Sequence, residues 1–347
     1  MSRIFVAGLG AVSPAGWNVA ALRDALDKGE PLPVQAMTRP GWERPLPARL
    51  VPKPPVRPEF LAHPRLRRTS PITHYAAAAA LEAVAGLRAN PDAKNCRLGI
   101  VVCLQSGCVQ YSCRFYDETL KNPATASPLV FPETVYAAPT SHVAALLGNV
   151  ALAHSLVGDP SAFLQGVSLG VQWLEENRAD ACLVIGAEET NWITADALWH
   201  LDRHAIVTAG AGALCLCREA KLSSGVELAA ITDSHTYSAR HTRMQAAVAM
   251  RGQLGKNSPK ELLCDGIGNS PRTDAAELAA WRDWTGPRVS PKRILGEGLM
   301  AAAAWQCVAA CDAVANGRFA AANVSLVGSN QQAIGARFTV VAQASCL

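Results

Sequence analysis

The residues best placed for covalent chemistry in this 347-residue chain lie in one stretch, GDPSAFLQGVSLGVQWLEENRADACLVIGAEE, residues 158–189. The apolar run 150–157 before it reads as a buried strand. Gly158 and Asp159 make the turn, and Pro160 suits the first turn of a helix, where its missing N–H costs nothing. Leu164, Val167, Val171 and Leu174 recur at helical spacing and give the helix one buried face. A second apolar strand follows over 181–185. Such an elbow is a usual seat for a nucleophile, because a helix N-terminus stabilises an anion and lowers a thiol's pKa. This one carries Asp159, Pro160 and Ser161, and no cysteine. A hydroxyl at Ser161 would need a base beside it, and the sequence supplies no partner. The stretch predicts a structural turn.

Other reactive side chains are scattered. Eleven cysteines include no CxxC pair, and Cys103, Cys182, Cys215, Cys217, Cys264, Cys307 and Cys311 sit in apolar patterns. They read as reduced, buried thiols of a cytoplasmic protein, and no metal or cofactor is expected. His74, His142 and His154 lie in apolar patterns, as structural histidines do. Trp192, Trp199, Trp281 and Trp284 read as core or interface anchors. Gly8-Leu-Gly10-Ala-Val-Ser13-Pro14 is similar to a dinucleotide loop, but Ser13 stands at the third glycine position. Arg65, Arg67 and Arg68 form a basic cluster, a solvated rim or a landing point for an acidic partner.

The elements that must position these groups alternate along the chain. Strands are expected near 4–8, 97–103, 211–217, 226–232, 262–265, 288–290, 324–327 and 337–342. Helices are expected over 18–27, 69–87 (Ser70 as N-cap), 109–120, 141–147, 273–284 and 296–316. Residues 30–65, rich in Pro and Arg, read as an irregular arm, and 234–258 as a polar loop. The alternation predicts an α/β protein with helices on both sheet faces. Half the residues are hydrophobic and 17% are charged, so the chain is globular. A net charge of +4 is too mild to argue for nucleic acid, and no apolar run approaches a membrane span. The first residues enter a strand at once, without a signal peptide's layout.

The order of segments resembles the β-ketoacyl synthase family. The matches begin with Gly8-Leu-Gly10-Ala-Val-Ser13-Pro14-Ala-Gly16, Arg68-Thr-Ser-Pro-Ile-Thr73, Arg178-Ala-Asp180 with Ile185-Gly-Ala-Glu188, and Gly210-Ala-Gly-Ala-Leu214. They continue with Asp265-Gly-Ile-Gly268, Leu295-Gly-Glu-Gly298 and Val327-Gly-Ser-Asn330. The resemblance implies a thiolase fold, five layers α-β-α-β-α built from two related halves, here placed at 1–215 and 216–347. It also implies a cysteine and two histidines as catalytic residues. Counting back from Arg178-Ala-Asp180 puts the cysteine position on Pro160, with Asp159 or Ser161 one residue away. The histidine positions fall on Asp265 and Glu297.

These substitutions are disabling. Decarboxylation of a malonyl extender builds negative charge on a thioester oxygen, which two carboxylates would repel. The resemblance therefore implies a chain length factor, a silent subunit pairing with an active ketosynthase in a type II fatty-acid or polyketide system, at subfamily level one making aryl polyenes. Many such subunits carry glutamine at the cysteine position; Gln165 falls more than a helical turn too late. The implied partners are the active ketosynthase, an acyl carrier protein that could contact Arg65, Arg67 and Arg68, and the acyl chain in a shared pocket. Two alternatives stay open. One is an enzyme, a hydrolase or decarboxylase, using Asp265 and Glu297 as acid and base, unless these carboxylates merely pair internally with Lys292 or Arg293. The other is a free-standing acyl-chain or carrier-protein binder.

Overall fold

The computed structural model describes residues 3–254 and 258–341. The first half runs β1 (Phe5–Val12), α1 (Val19–Lys28), β2 (Gln35–Arg39), β3 (Trp42–Arg49), α2 (Pro71–Ala89), β4 (Leu98–Leu104), α3 (Val109–Lys121) and α4 (Ala138–Leu147). It continues with β5 (Val150–Val157), α5 (Ala162–Glu175), β6 (Ala181–Glu188), α6 (Trp192–Leu201), β7 (Val207–Thr208) and β8 (Gly210–Cys217). The second half runs β9 (Val226–Ile231), β10 (His235–Thr236), α7 (Arg243–Gln253), β11 (Leu262–Cys264), α8 (Pro271–Ala280) and β12 (Arg288–Val289). Then come α9 (Pro291–Leu295), α10 (Met300–Ala315), β13 (Ala321–Val327) and β14 (Gln332–Val340).

The strand order repeats. In the first half it is β1-β8-β6-β4-β5, and in the second β9-β14-β13-β11-β12. In each set the first three strands pair antiparallel and the last three parallel. The two sets meet where Phe5 faces Glu227 and Val6 faces Val226. Between them lie α5 and α10, in one core with residues from both sets, such as Val184, Leu214, Val324 and Phe338. Helices α2 and α4 cover the outer face of the first set, and α7 and α8 that of the second. The result is the expected five layers. Helix α10 is apolar around most of its circumference, as a helix enclosed on all sides must be. Trp305 pins it to the first set by donating Nε1–H to Val12 and Ala211 carbonyls, both at 3.0 Å.

The glycine pair of the first segment has a packing role. A Cβ on Gly8 would lie 2.1 Å from the Ala83 carbonyl oxygen, and one on Gly10 1.9 Å from that of Ala79. The glycines let the alanine-rich α2 seat its backbone against β1.

Four expectations are corrected. Residues 30–65 are no irregular arm: β2 and β3 form a hairpin extended by β7, turned by Pro40-Gly41 with Gly41 at φ +75°. Its buried Leu46 and Ala48 pack on Ala195 and Val207. Strand β5 is the outer strand of its set, with one neighbour among the described residues and a largely exposed face, and His154 lies exposed on it. Residues 243–253 are helix α7, opened by a capping box in which Thr242 and Gln245 bond each other's backbone. The long helix expected from Gly296 is two helices, α9 and α10, with Glu297 on the link. The remaining strands and helices fall within a few residues of their predicted places. Among the described residues no helix is long and apolar enough to cross a membrane.

Candidate functional site

The elbow is closed by its own aspartate. Asp159 is buried, and its Oδ1 accepts from the Ser161 backbone N–H (3.1 Å) and from the Ser161 hydroxyl. Its Oδ2 accepts the N–H groups of Asn330 (3.1 Å) and Gln331 (3.0 Å), while Gln331 Oε1 accepts the Asp159 N–H. One carboxylate thus ties the start of α5 to the turn between β13 and β14. Gly328 in that turn must be glycine, since a Cβ would stand 2.2 Å from Asp159 Oδ2. Pro160 is buried, and Ser161 has no exposed surface. Gln165 lies one turn into α5 and reaches Gln332 at 3.1 Å, away from the elbow.

Next to this plug opens a cavity of about 190 Å³. Its walls come from the α6–β7 connection, the loop between β11 and α8, the α9–α10 link and the β13–β14 turn. Asn330 belongs to both places: its N–H caps Asp159 and it lines the cavity. Pro160 does not reach the cavity.

The two residues expected at the histidine positions, Glu297 and Asp265, separate. Glu297 lines the cavity. Its backbone is clamped to the α6–β7 segment, with N–H to the Ile206 carbonyl (2.8 Å) and C=O from the Thr208 N–H (3.1 Å). Gly296, at φ +101°, permits this approach, because a Cβ would meet the Ile206 carbonyl oxygen at 2.6 Å. The Glu297 carboxylate pairs with Lys292 Nζ at 2.7 Å and accepts the Leu299 N–H at 2.9 Å. Burial lowers the Lys292 pKa, but Glu297, Glu277 and Asp274 together outweigh it, so the ammonium is held above its ordinary value.

Asp265 is not on the wall. Its fully buried carboxylate accepts the Ser290 hydroxyl at 2.6 Å and the Ile267 N–H at 3.2 Å, and Arg288 Nε lies 3.1 Å from its other oxygen. Burial raises its pKa; Ser290 and Arg288 pull only part of the way back. Of the two carboxylates expected to converge, only Glu297 faces the cavity. The acids that accompany it are Asp274 and Glu277, neither of them among the residues expected from the sequence. Both sit on the first turns of α8, three residues apart and therefore on one face, a spacing legible in Asp274-Ala-Ala-Glu277. Asp274 accepts the N–H groups of Gly268 and Ser270. Glu277 accepts that of Gly266, and burial together with the Asp265 charge pushes it up to about 8.

Arg65, Arg67 and Arg68 are exposed around the buried anchor Leu66, and none joins an ion pair among the described residues. His142 pairs with Glu133 at 2.9 Å and His74 faces the Leu66 carbonyl at 3.2 Å, both as structural histidines. Trp281 is buried and donates to Ser325, with Trp284 edge-on at 5.6 Å. The seven cysteines read as buried thiols are free and buried. Ser70 occupies the N-cap of α2, yet its hydroxyl donates to Glu189, whose carboxylate takes the Ile72 N–H and does the capping itself.

The duplicated five-layer architecture and the elbow define a thiolase-like ketosynthase fold. The chain belongs to the β-ketoacyl synthase family: the family's N-terminal domain matches residues 1–198. The ishigamide ketosynthase/chain length factor superposes with a TM-score of 0.83 at 18% identity, covering 98% of this chain and 100% of that one. A β-ketoacyl synthase from Burkholderia phymatum gives 0.82 at 16%, covering 99% and 100%. The complex of the ketosynthase ApeO with its chain length factor ApeC, from Xenorhabdus doucetiae, gives 0.77 at 14%, covering 98% of each chain. No curated protein matches in sequence.

Proposed function

We propose that this chain is a non-catalytic, chain-length-factor-type subunit that pairs with an active β-ketoacyl synthase in type II fatty-acid or polyketide biosynthesis. The observation that carries this reading is the elbow. Asp159, Pro160 and Ser161 stand where an acyl-carrying thiol would be, and Asp159 spends its carboxylate on four donors of the fold. At the other two family positions Asp265 is buried against Ser290, and Glu297 is neutralised by Lys292. In this proposal Pro160, Asp265 and Glu297 are the degenerate triad, and the 1–215 and 216–347 halves form one unit. The finer assignment, an aryl-polyene system, rests on the resemblance read from the sequence.

The surface supports the partner. Among the described residues edge strand β5 leaves its outer hydrogen-bonding side unpaired; Val157 is exposed on it, and Val135 and Tyr136 are exposed just ahead of α4, whose Thr140 bonds Ser155 of β5. The active ketosynthase would cover this face. Arg65, Arg67 and Arg68 would receive the acidic carrier protein, and the complex would work in the cytoplasm. Co-expression with the ketosynthase encoded beside it is expected to give a stable 1:1 complex, which Val157→Arg with Tyr136→Arg disrupts. Association with no ketosynthase would sink the reading.

A further inference from the structure

The cavity beside the elbow has an electrostatic asymmetry that pairing with a ketosynthase does not explain. Every carboxylate on its wall is engaged. Glu297 has Lys292 and the Leu299 N–H, Asp274 has two backbone N–H groups, Glu277 has the Gly266 N–H, and Asp202 accepts the His204 N–H. Three arginines on the same wall form no ion pair among the described residues, although the Arg293 charge acts at longer range on Asp265. Arg49 is only 6% exposed, yet its guanidinium meets just two neutral acceptors, the carbonyls of Leu32 (2.8 Å) and Arg293 (3.4 Å). Arg243 donates to the Gly328 carbonyl at 2.9 Å and lies 5.8 Å over the Tyr237 ring, while its buried Nε finds no acceptor. Arg293 is exposed on the wall. Among the described residues none of the three forms an ion pair.

A buried guanidinium without a counter-charge is costly, and proteins retain one where something supplies that charge. Arginine's planar fork fits a carboxylate or a phosphate with two parallel hydrogen bonds. The hydroxyls of Ser270 and Thr273 and the amide of Asn330 line the same space and can complete a polar ligand's shell. At roughly 10–15 Å³ per water, the volume exceeds what a bare ion needs and suits a small organic molecule.

We propose that this cavity is a binding site for a small organic anion with a carboxylate or phosphate head, held chiefly by Arg49 and Arg243, with Arg293 at its edge. The site is independent of the pairing proposal and stands whether or not the chain associates with a ketosynthase.

The test is calorimetric titration of the full chain with succinate, glycerol 3-phosphate and uncharged glycerol. At least one anion is expected to bind and glycerol is not; which anion binds distinguishes a carboxylate ligand from a phosphate one. Arg243→Gln is expected to weaken binding about ten-fold or more and Arg293→Gln by less, with Arg49→Gln at least matching Arg243→Gln. Because Arg49 also ties Leu32 to Arg293, each variant's thermal transition is recorded, and Arg243→Gln decides the matter if Arg49→Gln does not fold. Absence of binding by either anion, equal binding of glycerol, or unchanged affinity in folded Arg243→Gln would overturn the proposal.

Discussion

The two central helices stand at corresponding places in the duplicated fold, α5 between β5 and β6 and α10 between β12 and β13. Their N-termini have been settled in opposite ways. Each is preceded by a carboxylate, a charge that a helix start favours. At α5, Asp159 is buried and bonded to backbone donors of its own elbow and of the β13–β14 turn, so the site is closed. At α10, Glu297 is paired with one lysine and faces a cavity that admits water. One carboxylate has become part of the scaffold; the other lines a space. Two equivalent helix starts in one fold thus differ: one is sealed by its carboxylate, while the volume beside the other stays open.

The contrast can be broken at its strongest point first. Asp159→Ala leaves several buried N–H groups without an acceptor, and at about 1–3 kcal/mol for each unsatisfied group the loss should reach about 3 kcal/mol or more. Urea unfolding checks this, and a cost under about 1 kcal/mol would deny Asp159 its structural role. Next is the Glu297 pair. Glu297→Gln strands a mostly buried Lys292 and is expected to cost about 3 kcal/mol, whereas Glu297→Gln with Lys292→Met should cost clearly less. Equal costs would mean that the two side chains do not depend on each other. Gly328→Ala forces the turn away from Asp159 and is expected to cost about 1–3 kcal/mol, with no additional cost in an Asp159→Ala background.

The smallest effect is one of pH. Glu277 titrates near 8 in the fold against an ordinary 4.5, so the folded state holds a proton that the unfolded state has released across that window. Its contribution to stability is full below about 4.5 and is lost as pH rises through about 8. Glu188, also buried and pushed up to about 8, adds to the same slope. Glu277→Gln should flatten the fall in stability between those pH values, and an unchanged slope would show that Glu277 is ionised in the fold.

Much of this was legible in the sequence because it rested on local pattern. The β5–α5–β6 unit, the elbow with Asp159, Pro160 and Ser161 and the alternation of strands and helices follow from apolar spacing and from residue identity. What escaped depended on partners distant in sequence. Nothing local states that Asp159 meets Asn330 and Gln331, or that Asp265 turns inward to Ser290 while Glu277 takes the wall. The apolar run of β5 reads as a buried strand because the sequence does not say whether a second neighbour exists; in the fold Ala151, Ala153, His154 and Val157 are exposed. The β2–β3 hairpin and α7 did carry signals, Pro40-Gly41 and the Thr242–Gln245 capping box, overshadowed by the proline and polar content around them.

The central claim, that the acyl chain is never carried by this subunit, is tested most directly by intact mass spectrometry of both subunits after the co-purified complex is incubated with acyl-loaded carrier protein. The acyl mass should appear on the ketosynthase alone and vanish when the ketosynthase's cysteine is replaced. An acyl adduct on this chain would contradict the account.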